Sequence, residues 1–385
     1  MDNIIDEYQQ KFARFLGAER AFAFWKGRVA LYALLRALDV GQDDEVILPG
    51  YTCVMNVNPI KYAGARPVYV DIEPDTFNMN VNLLKEKITN KTKVIIAQHT
   101  YGYPCEIDTI MKIAQKNSIY VIEDCCLALG SKYKGKMVGT FGRAGYFSSQ
   151  WNKPYTTGLG GMVITSDREV AERIESLAAN KMFPPSSREV FMLRMQLLFY
   201  RLFIYPRTTA LAQSLFRYLT KKGAVIGSSS TSEFEPVKAD DFFKAMSTVQ
   251  ARSGIRQLDK IEINIAHRRK MAQLYDELLA AKGWRPSNDR RDSVEPVMVR
   301  YPVRITEKDK ALAQAAKAGI ELGSWFECPL HPIETPLASY DYEPGMCPEA
   351  EKASNEVVNL PLHPRTNEKT VERSVDFITG FTQVG

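Results

Sequence analysis

Short apolar runs alternate along this chain with longer stretches in which apolar residues recur every three or four positions. "EVILP" (45–49), "RPVYVDI" (66–72), "KVIIAQH" (93–99) and "IYVIEDC" (119–125) are apolar runs and not clean alternations. Such runs predict strands buried on both faces, as in a parallel sheet covered by helices. In "VALYALLRALDVG", Leu31, Leu34, Leu35 and Leu38 fall on one helical face, with Gly41 as a stop. "EIDTIMKIAQKNS" places Ile107, Ile110, Met111 and Ile113 together in the same way. "AGYFSSQ" and "GMVITS" add two strands on either side of Lys153. Strand and helix in alternation predict a βαβ architecture.

The rhythm changes at residues 183–234, bracketed by "FPPSS" and "GSSSTSEFEP". A long helical pattern then runs from about Phe242 to Lys282. "VMVRYPVRI" (297–305), "KALAQAAKAGI" (310–320) and "NEVVNLPLHP" (355–364) read as a smaller α/β unit. The expected organisation is a large domain over 1–240, interrupted by the insertion at 183–234. The long helix and a small C-terminal domain follow over 241–385. There is no internal repeat and no low-complexity tract.

Composition narrows this picture only a little. The chain's 385 residues, 45% hydrophobic and 25% charged, describe a globular protein. A formal charge of +5 without long basic runs leaves no footprint of nucleic-acid binding. Six cysteines without CxxC spacing and a polar N-terminus without signal-peptide order predict a reducing, cytoplasmic setting. The four histidines are too scattered to predict a metal site.

Three features at predicted strand ends carry possible chemistry, because sites in open α/β sheets gather there. Gly27 opens a helix whose free N–H groups and dipole suit an anion, and Arg28 adds a charge. Taken alone, this pair is a plain helix start with a solvated arginine. Asp124 ends an apolar strand, where a carboxylate is costly without a partner. It serves equally well as a cap or as the partner of a protonated ring nitrogen. Lys153 follows a strand carrying Ser148 and Ser149. A loop lysine is usually solvated, but one withdrawn from water can lose its proton and attack a carbonyl. A helix start for phosphate, an Asp for a pyridine nitrogen and a Lys for an imine are together the parts of a pyridoxal 5'-phosphate site.

In that order the chain resembles the DegT/StrS group of pyridoxal-phosphate sugar aminotransferases. The resemblance extends from "DEVILPGYTCVMNVNPIKYAGARPVYVDIEPDTFNMN" through "HTYGYPCEID" and "VIEDCCLALG" to "FSSQWNKPYTTGLGG". It continues in "QARSGIRQLDKIEINIAHRRKMAQLYDELL", "WFECPLHPIE" and "NLPLHP". It implies the type I fold of the aspartate aminotransferases, a mostly parallel sheet covered by helices with a smaller C-terminal α/β domain. It implies Lys153 as the lysine that carries the cofactor and the catalytic residue. Asp124 would meet the pyridinium nitrogen, with Ser148, Gly27 and Arg28 at the phosphate and Cys53 beside the ring. His331 would face the substrate, and Tyr101 and His99 are further candidates near it.

The activity implied is amino transfer from an amino acid such as glutamate to a keto-sugar, nucleotide-linked, in surface polysaccharide synthesis by a homodimer. Two other readings stay open. One is an aminotransferase for a lipid-linked or non-sugar ketone. The other is a catalytically silent homologue acting as a sensor or partner.

The chain also departs from the family's usual pattern. Leu127 stands where Gln or His is usual, and Cys53 lies where an aromatic residue usually stacks on the ring. Arg28 replaces a small hydroxyl residue and Leu159 an acidic one. "FEPVKADDFFKAM" lacks the usual Gly-Tyr-Asn segment. Tyr51, Tyr101 and His99 are the candidates to replace the lost stacking partner.

The insertion "EVFMLRMQLLFYRLFIYPRTTALAQSLFRYLTKKG" (189–223) is too apolar for a solvated loop. From Arg188 to Lys222 it sets Arg188, Arg194, Arg201, Arg207, Arg217, Lys221 and Lys222 against Glu189, a net +6. Large apolar side chains among arginines suit a helix lying in a membrane interface, through 189–222. They also suit a hairpin packed on a dimer partner or over the active site.

Overall fold

The computed structural model describes residues 3–151, 153–204, 234–286, 293–332 and 335–384. Its centre is a seven-stranded sheet. In chain order the strands are β1 (Arg20–Phe24), β2 (Glu45–Pro49), β3 (Arg66–Val70), β4 (Thr92–Gln98), β5 (Tyr120–Asp124), β6 (Ala144–Ser148) and β7 (Gly161–Thr165). In space they lie β1-β7-β6-β5-β4-β2-β3. Only β7 of the seven runs against the others, pairing antiparallel with both β1 and β6.

Both faces of the sheet are buried, which is why these strands read as continuous apolar runs. Val46, Leu48, Val94 and Ile96 join a core on one face, and Ile47, Ile95, Ala97 and Val121 join a separate core on the other. That split follows the two-residue period of a strand. After a first helix, α1 (Asn3–Leu16), helices α2 (Gly27–Ala37) and α3 (Val54–Ala63) fill the first face. Helix α4 (Ile107–Lys116) covers the second through Ile107, Ile110 and Ile113.

After β7 come α5 (Arg168–Lys181), α6 (Ser187–Phe199), α7 (Thr248–Leu258) and α8 (Ile261–Ala281). The single long helix expected over 242–282 is two helices. Ser247 caps α7 by accepting from the Gln250 N–H while Gln250 reaches back, so helix cannot extend upstream. Lys260, at φ −116°, breaks the ladder before α8. Helix α6 starts on a similar box made by Ser186 and Glu189.

A further core unites α8 with an antiparallel strand pair, β8 (Arg300–Arg304) and β9 (Val357–Pro361), and the last helix (Glu368–Ile378). Most of the arginine-rich stretch expected to meet a membrane or a partner, residues 205–222, lies outside the described residues. No helix among the described residues is long and apolar enough to cross a membrane. All six cysteines are free.

The first turn of α2 is pressed onto the ends of β6 and β7. A Cβ at Gly161 would lie 2.3 Å from the Lys26 carbonyl oxygen, and one at Gly27 3.0 Å from the Ser148 Cβ. Backbone cannot yield as a flexible side-chain tip can. Gly161→Ala is therefore expected to cost about 2 kcal/mol of unfolding free energy. Gly41→Ala, whose Cβ would meet only the flexible Arg36 guanidinium at 4.0 Å, is expected to stay within about 0.5 kcal/mol of the parent. Equal denaturation midpoints for the two variants would contradict this account of the packing.

Candidate active site

The carboxyl ends of β4, β5 and β6 and the start of α2 surround one cavity of about 280 Å³. Gly27, Arg28, Cys53, Asp124, Ser148, Lys153 and His331 all line it. They come from separate parts of the chain, and the parallel register brings them together. Gln98 and Asp124, the last residues of β4 and β5, are direct partners, and Asp124 in turn pairs with Tyr146 of β6.

At one side lies the start of α2. Its N-cap, Lys26, supplies no side-chain cap, and no acid occupies the first turn. The first N–H groups therefore have no side-chain acceptor from the cap position, and the Ser148 hydroxyl sits against Gly27. A cap-free helix start beside a hydroxyl and Arg28 is a donor set suited to a phosphate.

Asp124, 3% exposed, lies at the floor. Its carboxylate accepts from the Cys126 N–H at 2.9 Å and from Asn56 Nδ2 at 2.6 Å. The Tyr146 hydroxyl donates to Asn56 Oδ1 at 3.0 Å, which fixes the amide with its donor end towards Asp124. Burial first, and then the Asp124 charge, push the Tyr146 phenol well above its ordinary pKa, so it stays a donor.

Lys153 stands on the loop after β6. Its Nζ lies 5.1 Å from the Trp325 ring centroid, and the Arg300 guanidinium lies 5.5 Å from the same ring. Trp325 Nε1 donates to His331 Nε2 at 3.1 Å. An indole N–H can only donate, so His331 Nε2 must present its lone pair and the proton of the neutral ring is on Nδ1. Burial disfavours the thiolate form of the two cavity thiols. Burial raises the pKa of both Cys53 and Cys126, and the Asp124 charge adds to the effect at Cys126.

Two expected substrate contacts do not line the cavity. His99 is fully buried, with Nε2 3.2 Å from Glu123 and Nδ1 accepting the Cys105 N–H. Tyr101, 1% exposed, bonds through its hydroxyl to Tyr51 and to the Trp325 carbonyl. It braces the cavity wall from behind. Buried acceptors, and not the cavity, set the direction of both rings.

His99, Glu123 and Cys125 place donor atoms within 4.8 Å of one another. Three backbone N–H groups, from Gly139, Phe141 and Gly142, already occupy the Glu123 oxygens. The Cys125 thiol is pushed up to about 12 by burial. The cluster is a hydrogen-bonded knot that ties β4 and β5 to the segment leading into β6.

Among the lining residues not anticipated are Asn56, Gln98 and Trp325. Asn56 and Trp325 stand in stretches already picked out by their sequence, "CVMNVNPI" and "WFECPLHPIE". Leu127 also lines the cavity and offers it only apolar surface.

A family model, the DegT/DnrJ/EryC1/StrS aminotransferase family, matches residues 2–191 and 241–379. The intervening residues 192–240 fall outside the match. The GDP-perosamine synthase of Escherichia coli O157:H7 is 46% identical over 171 residues, 44% of this chain and 47% of that protein, so that alignment spans about half of each. The GDP-perosamine synthase of Caulobacter vibrioides is 30% identical over 379 residues, 96% of this chain and 88% of that protein. Among solved structures, the aminotransferase TlmJ of Streptoalloteichus hindustanus aligns with a TM-score of 0.77 at 25% identity. That alignment covers 98% of this chain and 90% of that one. With a family match on both sides of the insertion and a relative aligned along nearly its whole length, this chain belongs to the DegT/DnrJ/EryC1/StrS aminotransferase family and is a pyridoxal-phosphate-dependent aminotransferase.

Proposed function

We propose that the chain moves an amino group from an amino acid, glutamate, to the ketone of a nucleotide-linked sugar, with Lys153 as its catalytic residue. The observation that carries this reading is the convergence of Lys153, Asp124 and the cap-free start of α2 on one cavity. The relatives named for GDP-perosamine support a nucleotide-linked sugar as the acceptor.

Each residue has a defined task. The first N–H groups of α2 and the Ser148 hydroxyl hold the phosphate, and Arg28 offsets its charge. Asp124 holds a proton on the ring nitrogen, and Asn56 keeps the carboxylate aimed. Bound pyridoxal phosphate supplies an electron sink for the electrons released when the donor's Cα–H bond breaks. The Lys153 Nζ is the amine that would hold the cofactor covalently. As a free amine beside the donor's Cα, the same Nζ would be the base that holds and moves the Cα proton. His331, held by Trp325, faces the sugar with a fixed tautomer. The active unit is a homodimer, as the family's habit of building its sites at a subunit interface implies.

Borohydride reduction of the purified holoprotein followed by peptide mapping is expected to find the cofactor on Lys153. Label on any other lysine, or a protein that stays colourless with added pyridoxal phosphate, would overturn the assignment.

Asp124→Asn is expected to keep its fold and lose roughly 10²-fold or more in turnover, because an amide holds the ring-nitrogen proton poorly. Asn56→Ala removes one donor to the same carboxylate and is expected to lose roughly tenfold. Circular dichroism and steady-state kinetics separate the two effects. Full turnover in Asp124→Asn would make the residue a structural cap.

A further inference from the structure

Helix α6 is apolar on two opposite faces. The inner face, Leu193, Leu197 and Tyr200, packs with Trp25, Trp151 and Leu159, the last two in the Lys153 loop. The outer face carries Phe191, Met195, Leu198 and, one turn beyond the α-helix, Leu202. They are 64%, 48%, 49% and 59% exposed. Their spacing of four, three and four residues puts them in one stripe. Four large apolar side chains in a row differ from the scattered exposed residues that any surface carries.

Charge defines what the stripe fits. Arg188 and Arg194 are exposed, and by helical spacing they fall on opposite edges of it. Neither makes an ion pair among the described residues. The acid of this helix, Glu189, lies on the inner side and is engaged by Ser186 and by Lys244 at 2.7 Å. The stripe is thus apolar along its middle, cationic on both edges and free of acid. From Val190 to Ser232 the sequence contains no acid at all. All of the stripe except Phe191 lies outside residues 2–191 and 241–379, which the family model matches.

We propose that this outer face of α6 is a docking surface for an anionic lipid bilayer. Phe191, Met195, Leu198 and Leu202 would enter the headgroup boundary while Arg188 and Arg194 meet lipid phosphates. A second copy of this chain fits less well. A twofold contact sets a face against itself, and here that would oppose arginine to arginine with no carboxylate between them. The helix would lie on the bilayer and not cross it, in keeping with its length and charge. The proposal stands independently of the amino-transfer reading.

Vesicle sedimentation of the full holoprotein tests it. Wild type is expected to pellet with phosphatidylcholine–phosphatidylglycerol vesicles and to stay in solution with phosphatidylcholine alone, the bound fraction falling as salt rises. M195E/L198E is expected to abolish pelleting while keeping the parent's melting temperature and visible spectrum. R188Q/R194Q is expected to weaken binding about fivefold for each arginine removed. Ile263→Glu, which changes an exposed apolar residue on α8 instead, is expected to bind like wild type. The proposal fails if wild type ignores both vesicle types, if it binds them equally, or if M195E/L198E binds unchanged. Conversion of a dimer to monomers by M195E/L198E in light scattering, with no vesicle binding by wild type, would assign the face to a second copy.

Discussion

A buried carboxylate at the end of a central strand is the constraint around which this site is built. Asp124 is almost fully buried, and a carboxylate taken out of water is costly without hydrogen-bond donors. The fold supplies donors, among them a backbone N–H from its own turn and the amide of Asn56. Asn56 is oriented in turn by Tyr146, the Cα partner of Asp124 on the neighbouring strand. Strand pairing, side-chain orientation and the charge on the cavity floor are therefore parts of one arrangement.

A second constraint fixes the distance from that floor to the start of α2. The start of α2 can lie against Ser148 only because positions 27 and 161 carry no Cβ. Below both, Glu123 gathers three backbone N–H groups and His99 into a buried knot that holds the ends of β4 and β5 and the entry to β6 in register. The knot touches no cavity surface, yet the residues flanking it in sequence, Asp124 above all, depend on it for position. Preorganisation of this kind lets a binding constellation act without rearranging first.

The sequence revealed what depends on strand ends and little of what depends on side-chain direction. "EVILP" announced its strand because both faces are buried, and β2 occupies the same five residues. Gly27, Asp124, Ser148 and Lys153 could be grouped because parallel strands bring their carboxyl ends to one edge. His99 and Tyr101 stand by the same logic just past β4, but distant acceptors, Glu123 and the Trp325 carbonyl, turn their rings away. The break at Lys260 was hidden because α7 and α8 continue one apolar rhythm across it. Asn56 and Trp325 were in view but carried no local sign of where they point. The insertion's double-faced helix was legible as apolar and basic, whereas the split between its packed and open faces needed coordinates.

The central claim is that Asp124 keeps the cofactor's ring nitrogen protonated at the floor of this cavity. The most direct measurement is the ¹⁵N chemical shift of the ring nitrogen in protein reconstituted with ring-labelled pyridoxal phosphate. The account predicts a protonated pyridinium signal in the parent chain and movement towards the neutral pyridine position in Asp124→Asn. A neutral signal in the parent, or an unchanged signal in the variant, would contradict it.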